Sequence, residues 1–337
     1  MVTIKDIARE LDLSYSSVSL ALNGDTRIKE QTRERVKSKA EEMGYRRNAQ
    51  ARALVMNKSE MVGFILPDIA NPFFASLILG AEEIAFRRGY SLVICNTNWS
   101  SKLEAMHLNL VIERKIDGIL LVSCNEPNPT LEKVLSLELP VVFVSSPYPD
   151  AEANFVGTDS EHGGYLAAKH LLDLGHRKFV VVGGRFNSEA ISQRFKGYER
   201  ALGEYGIPLE ESDVYPGDFS VESGCNSIKR ILSEQHAFSA VLAFDDLIAI
   251  GVMNGIRESG LRVPDDISVI GFDNIEAASF SGIDLTTISM DKISMGRLAA
   301  EMLLDDLYCT DKPRDRKRTV LDQELVVRKS TGPVKRP

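Results

Sequence analysis

Five hydroxyl-bearing residues fall within six positions near the amino terminus: Ser14, Tyr15, Ser16, Ser17 and Ser19. With no base beside them such groups do not act as nucleophiles, but they hydrogen-bond well to phosphate oxygens and base edges. A second set is spread along the rest of the chain: Asp68, Asn71, Phe73, Phe74, Ser123, Ser145, Asp159, Arg185, Arg194, Asp218, Phe219, Asp245, Asp246, Asp273 and Asn274. This mixture suits non-covalent capture of a polyhydroxylated molecule. Aromatic faces cover its C–H surfaces, and carboxylates and guanidinium satisfy hydroxyls that would otherwise be buried unpaired. Catalytic spacings are missing: there is no G-x-x-x-x-G-K-[ST] loop, no H-E-x-x-H and no G-x-S-x-G elbow. Cys95, Cys124, Cys225 and Cys309 lack close spacing, and His170 and His176 do not read as a metal pair. No enzyme activity, cofactor or metal is therefore expected.

The hydroxyl cluster must be held by helices. Ile4, Ile7, Ala8 and Leu11 form an apolar stripe at helical spacing, with Thr3 and Asp6 placed to cap its first turn. Ser14 then opens a second helix, whose Val18, Ala21 and Leu22 form the buried side and which ends near Asn23-Gly24. About three residues separate the two helices, a gap that forces a steep crossing and defines a helix-turn-helix. A third helix from about Lys29 brings Val36, Ala40 and Met43 to the same small core before Gly44-Tyr45 stops it. In such a motif the start of the second helix, here Tyr15, Ser16, Ser17, Ser19 and Leu20, faces base edges in the major groove. Leu20 is expected to be exposed and free to rest against a thymine methyl. The plainer alternative is that the hydroxyls only cap and solvate a short helix. Charge favours the first reading. Lys and Arg exceed Asp and Glu by four over residues 1–58 and fall short by twelve over 59–337, within a net charge of −8, so a positive end suited to phosphate is joined to an acidic remainder.

From Glu60 onward strands and helices alternate as in a parallel sheet. Strands are expected at 61–66, 90–95, 117–122, 141–145, 178–183, 239–244 and 267–272. Helices are expected from Asn71-Pro72 to Arg88 and at 160–173, 189–205, 220–233 and 246–258. About 280 residues exceed what one core usually holds, so two α/β subdomains are the natural division. Ligands of open α/β sheets bind beyond the carboxyl ends of the strands, which is where the second set of residues lies. Each has a structural alternative: Phe73 and Phe74 fit a core position at a helix start, Asp245 and Asp246 fit helix caps, and Arg194 fits a surface ion pair.

The runs Val2-Thr3-Ile4-Lys5-Asp6-Ile7-Ala8, Leu13-Ser14-Tyr15-Ser16-Ser17-Val18-Ser19 and Leu22-Asn23-Gly24, followed by Thr32-Arg33, Gly44-Tyr45, Asn48-Ala49, Ala51-Arg52 and Leu54, resemble the opening of the lactose/galactose repressor (LacI/GalR) family, and the resemblance extends over essentially the whole chain. It implies a helix-turn-helix headpiece over 1–47, a hinge helix over 48–58, and an effector-binding and dimerisation domain over 59–337. That domain has two periplasmic-binding-protein-like lobes, about 59–158 with 291–318 and 159–290 with 319–330, linked by crossings near 157–160, 287–291 and 318–323.

For DNA contact the resemblance points to Thr3, Asn23, Thr32, Tyr45, Asn48, Ala51 and Arg52 beside the hydroxyl cluster, with Leu54 as a wedge in the minor groove. For effector contact it points to Phe73, Phe74, Arg194, Phe219, Asp245 and Asp273, with Ser123, Ser145 and Ser188 around them. Ser188 stands where purine-binding members carry an Arg that holds the purine. Ser145 replaces an Asp of many sugar-responsive members, and Asp245 replaces an Asn. The expectation is a homodimeric repressor of a carbohydrate-utilisation operon on a near-palindromic operator, controlled by a sugar or sugar derivative. Catabolite-control members also bind a phosphorylated carrier protein, a partner that no residue here decides.

A solute-binding protein of the transport type shares the lobes but not the first 58 residues. Met1 leads directly into a capped helix, no apolar run approaches about 18 residues, and the cysteines are scattered. A cytoplasmic location with no membrane partner is expected.

Overall fold

The computed structural model describes residues 2–45, 58–124, 126–137, 139–148, 153–183, 189–234, 237–308 and 316–334. Asn48, Ala51, Arg52, Leu54, Arg185 and Ser188, named above, lie outside the described residues. Contacts divide the chain into two compact units, Met1–Ser59 and Glu60–Pro337.

The first unit holds α1 (Ile4–Leu11), α2 (Tyr15–Leu22) and α3 (Glu30–Glu42). Ile7, Ala8, Leu11, Val18, Ala21, Leu22, Val36 and Ala40 form its core, the stripe that period 3.6 predicts. At the start of α1 the Thr3 N–H and hydroxyl both donate to Asp6, at 2.9 and 2.7 Å. Asp12 then adopts a left-handed conformation, φ 54°, and turns the chain into α2.

In the second unit the first sheet has the order β11-β5-β4-β3-β1-β2 and the second β12-β10-β9-β8-β6-β7. The first contains β1 (Met61–Leu66), β2 (Ser91–Asn96), β3 (Gly118–Leu121), β4 (Val141–Ser145), β5 (Asn154–Thr158) and β11 (Arg318–Leu321). The second contains β6 (Phe179–Val182), β7 (Val214–Tyr215), β8 (Ala240–Ala243), β9 (Ser268–Asp273), β10 (Thr286–Met290) and β12 (Gln323–Val326). Every strand pair is parallel except β10 with β12.

Helices α4 (Pro72–Arg87), α5 (Ser101–Glu113), α6 (Pro129–Ser136) and α11 (Lys292–Tyr308) pack on the first sheet. Helices α7 (Ser160–Asp173), α8 (Glu189–Gly203), α9 (Val221–Ser233) and α10 (Asp246–Glu258) pack on the second. Strand residues alternate between faces. Phe64, Leu66, Leu120 and Val142 join the layer of α4 and α11, whereas Ile65, Leu121 and Phe143 join Leu108, Val111, Leu131 and Val134 of α5 and α6.

The chain crosses between the sheets three times: after β5, after β10 and between β11 and β12. β11 and β12, which follow each other closely in the chain, thus lie in different sheets, and α5 and α6 stand where no helix was expected. The charged Glu104 on the inner face of α5 blurs its apolar period.

Glycines allow the paired helices to touch. A Cβ built on Gly164 of α7 would run into the carbonyl of Arg194 in α8, and one on Gly197 of α8 into the carbonyl of Glu161 in α7. The same reciprocal contact joins α4 and α11 through Gly80 and Gly296, and α9 and α10 through Gly224 and Gly251. Gly164→Ala must push α8 and Arg194 outward. A loss of about 1–3 kcal/mol is expected from such overpacking, measured as a lower urea midpoint, and a variant as stable as the parent would show that α8 moves freely.

Candidate functional site

On the first unit, the residues expected to read DNA divide into two groups. Ser14 and Ser17 are engaged with each other: the Ser14 Oγ accepts from the Ser17 N–H at 3.0 Å and lies 2.8 Å from the Ser17 Oγ. Thr3 is tied to Asp6. Tyr15, 54% exposed, and Ser16 project into solvent, with Ser19 half-buried and Asn23 exposed at the end of α2. The expectation of an exposed Leu20 is corrected, because it is half-buried on the flank of the short α2. Thr32 is half-buried too, and Tyr45 packs against the headpiece core.

In the second unit a cleft lies between the carboxyl ends of the two sheets. From the first lobe it is lined by Asn71, Phe73, Phe74, Trp99, Val122, Ser123, Ser145 and Ser146, and from the second by Ala190, Ile191, Arg194, Phe219, Asp245 and Asp273. Of the expected effector residues, all but Ser188, which is not described, therefore meet in one place.

Local sequence explains their positions. Asn71 caps α4 by accepting from the Phe73 N–H at 2.9 Å, with Pro72 in the first turn. That cap points Phe73 and Phe74 inward, ring centroids 5.1 Å apart and edge to face; both are core and cleft wall at once. Ser123 is placed by Glu104, a fully buried acid that accepts from the Cys124 N–H at 2.7 Å, from Asn128 Nδ2 at 2.9 Å and from the Ser123 hydroxyl at 3.4 Å. Ser145 ends β4 at φ 68°, and the Ser146 Oγ accepts from the Ala190 N–H at 3.3 Å, tying the lobes together near the crossings.

Arg194 lies across Phe272, its guanidinium carbon 3.3 Å from the ring centroid, and Nη1 donates to the Phe244 carbonyl. It is buried, its Nε has no partner, and no carboxylate pairs with it among the described residues, so the surface ion pair is not what holds it. Asp245 caps α10, accepting from the Ile248 N–H at 2.8 Å, and also receives Asn71 Nδ2 from the opposite lobe at 3.4 Å. Burial pushes its carboxyl up to about 6 against the opposing pull of the Ile248 N–H and Arg194. Asp273 ends β9 at φ 104°. Burial pushes it up to about 7, with Arg194 and Lys292 opposing and Asp245 reinforcing. No hydrogen bond reaches its carboxylate among the described residues, so it faces the cleft with its acceptors free. Lys292 Nζ donates to the backbone carbonyls of Asp273 and Asn274, holding this bend.

Other candidates have structural duties. Asp246 turns away from the cleft and accepts from the Thr287 hydroxyl and the Ile275 N–H. Asn274 is held by Ser289 and Arg328. Asp68 closes a turn onto the Ala70 N–H, Asp159 caps α7, and Asp218 accepts from Ser220.

The residue that sequence reasoning missed is Trp99. It stacks on Phe219 at 4.8 Å and 20° and meets Phe74 edge-on at 6.2 Å. Asn98 and Trp99 are both left-handed, φ 49° and 59°, a conformation that costs about 1–2 kcal/mol per residue without Cβ relief. Being the single tryptophan in the chain, in the loop after an expected strand, it carried a signal that could have found it. Among the described residues no helix is long and apolar enough to cross a membrane, and no group of three or more His, Cys, Asp or Glu could hold a metal ion.

A helix-turn-helix unit chained to two parallel-sheet lobes around an apolar and polar cleft defines the class of DNA-binding regulators with a small-molecule domain. Comparison with known proteins agrees. Residues 3–48 match the family "bacterial regulatory proteins, lacI family", and residues 168–331 match the periplasmic binding protein-like domain. The chain is 35% identical to the HTH-type transcriptional repressor PurR of Vibrio vulnificus (strain CMCP6) over 97% of this chain and 98% of that protein. It superimposes on the lac repressor dimer bound to operator and the anti-inducer ONPF with a TM-score of 0.85 and 27% identity, over 98% of this chain and 99% of that one. A LacI family regulator from Enterococcus faecium with bound ribose gives a TM-score of 0.72 and 30% identity, over 82% of this chain and 100% of that one. The chain belongs to the lacI family of bacterial regulatory proteins. It is a DNA-binding transcriptional repressor and not an enzyme.

Proposed function

We propose that this repressor is governed by a neutral polyhydroxylated effector, a sugar or sugar derivative, held between the two lobes. The observation that carries the reading is a pair of polar groups at the cleft whose bonding is unfilled. Among the described residues the Asp273 carboxylate accepts no hydrogen bond and Arg194 Nε has no partner, while Asn71, Ser123 and Ser145 line the opposite wall. A polyol directs hydroxyls to both sides and can donate to a carboxylate while accepting from a guanidinium. A planar purine keeps its polar atoms in one plane and presents apolar faces to both lobes. Nucleobases are the competing class, and Ser188, standing where purine-binding members carry an Arg, argues for the sugar.

On the DNA side, Tyr15 and Ser16 are the groups we assign to base edges, flanked by Ser19 and Leu20. The wedge role of Leu54 rests on the family resemblance alone. We assign a second copy of the chain as partner. Leu79 and Phe86 on α4, 63% and 76% exposed, with Ile94 on β2 and Met106 on α5, leave apolar surface that association would cover. Two headpieces then favour a near-palindromic operator.

The full-length chain should enrich such a sequence from random duplexes at moderate salt. A thermal-shift screen with sugars, sugar phosphates and nucleobases should raise its melting temperature with sugars. Tyr15→Ala should weaken the selected site by about 1–3 kcal/mol while leaving random DNA almost unaffected. Stabilisation by nucleobases alone would overturn the sugar assignment, and equal losses on both DNAs would remove Tyr15 from base readout.

A further inference from the structure

We propose that Trp99, stacked on Phe219, is the size gate of the cleft and confines the effector to a single ring system. The inference rests on the reading that the cleft holds the effector, but it does not depend on that effector's being a sugar.

Strand order locates the gate. The three crossings leave or enter β5, β10, β11 and β12, which lie toward one edge of each sheet. β2 and β7 are the opposite edges of the two sheets, farthest from the crossings. Trp99 stands in the loop after β2 and Phe219 in the loop after β7. Their rings meet at 4.8 Å, close to parallel, so the two jaws touch at their tips. Near the crossings, Ser146 and Ala190 close the other end. Between them, Asn71 reaches Asp245 across the gap.

A ligand lying among Arg194, Asp245 and Asp273 is therefore bounded at both ends. A second ring projecting toward the tips has to part Trp99 from Phe219. The left-handed backbone at Asn98 and Trp99 is the kind of outlier that recurs at ligand clamps, and here it sends the indole toward the other lobe. Phe74 braces the indole from behind, edge-on, so the gate and the cleft wall form one aromatic series.

The test uses the full-length chain and calorimetry with matched pairs: glucose against cellobiose, ribose against a ribosyl disaccharide, and guanine and adenine against their nucleosides. The one-ring-system member of whichever pair binds should bind roughly ten-fold or more tightly than its extended counterpart. Trp99→Ala and Phe219→Ala should each shrink that ratio toward one. An extended ligand binding the parent as tightly as its small counterpart would overturn the proposal, as would a ratio unchanged in both variants. Preference for guanine or adenine with no sugar binding would sink the polyol reading while the gate is still judged on base against nucleoside. No binding by any member would overturn both.

A second measurement needs no ligand. Because Trp99 is the single tryptophan, acrylamide quenching of intrinsic fluorescence reports its cover directly. Quenching should rise on Phe219→Ala. Unchanged quenching would show that the stack does not shield the indole and would remove the gate.

Discussion

Asp273→Asn stabilises the protein at pH 8 and leaves it unchanged at pH 4. Burial raises this carboxyl from 3.8 to about 7 in the folded chain, whereas in the unfolded chain it titrates at its ordinary value. Between those two values the folded state binds more protons than the unfolded one, so stability falls as pH rises, and above about 7 the full penalty remains. An amide carries no such penalty. A shift of about three units corresponds to on the order of 2–4 kcal/mol after allowance for coupling to Asp245. Urea unfolding at the two pH values measures it, and equal midpoint changes at both would show that the side chain's charge is not the cause. The same substitution should weaken effector binding, so the residue trades stability for recognition.

Arg194→Met should act in the opposite direction. It removes the cation lying on Phe272 and the Nη1 donor to the Phe244 carbonyl, and takes from Asp245 and Asp273 the positive charge that opposes their burial. A loss of about 2–4 kcal/mol at pH 8 is expected, together with loss of effector response. The loss should shrink at pH 5, where both acids take up protons and no longer need the guanidinium. A destabilisation independent of pH would assign Arg194 to packing alone.

How far the sequence could be read follows from the range over which each feature is determined. The headpiece was legible because everything that defines it is local: a stripe of Ile4, Ile7, Ala8 and Leu11, a cap at Ser14, and a short turn between. The cleft wall was legible wherever a residue ends a strand or starts a helix, as Asp245, Asp273 and Phe73 do, since sheet topology decides where such ends point.

The stack of Trp99 on Phe219 was not legible by that route, because two sheet edges that oppose each other only in the folded lobes bring the rings together. Glu104 was hidden for a related reason. A buried acid on the apolar face of α5 looks like an error of period until its partners Ser123, Cys124 and Asn128 are seen to converge on it. Nor could charge alone separate Asp245 from Asp246. One caps a helix at the cleft and its neighbour serves Thr287 and Ile275 on the far side.

One residue, Asp322, separates β11 from β12, and these strands belong to different sheets. β11 runs parallel to β5 while β12 runs antiparallel to β10. A rotation of one lobe against the other therefore meets a very short connector at this crossing, and inserting a short glycine segment after Asp322 is expected to weaken the coupling between effector binding and operator release, measured as a smaller effector-induced change in operator affinity.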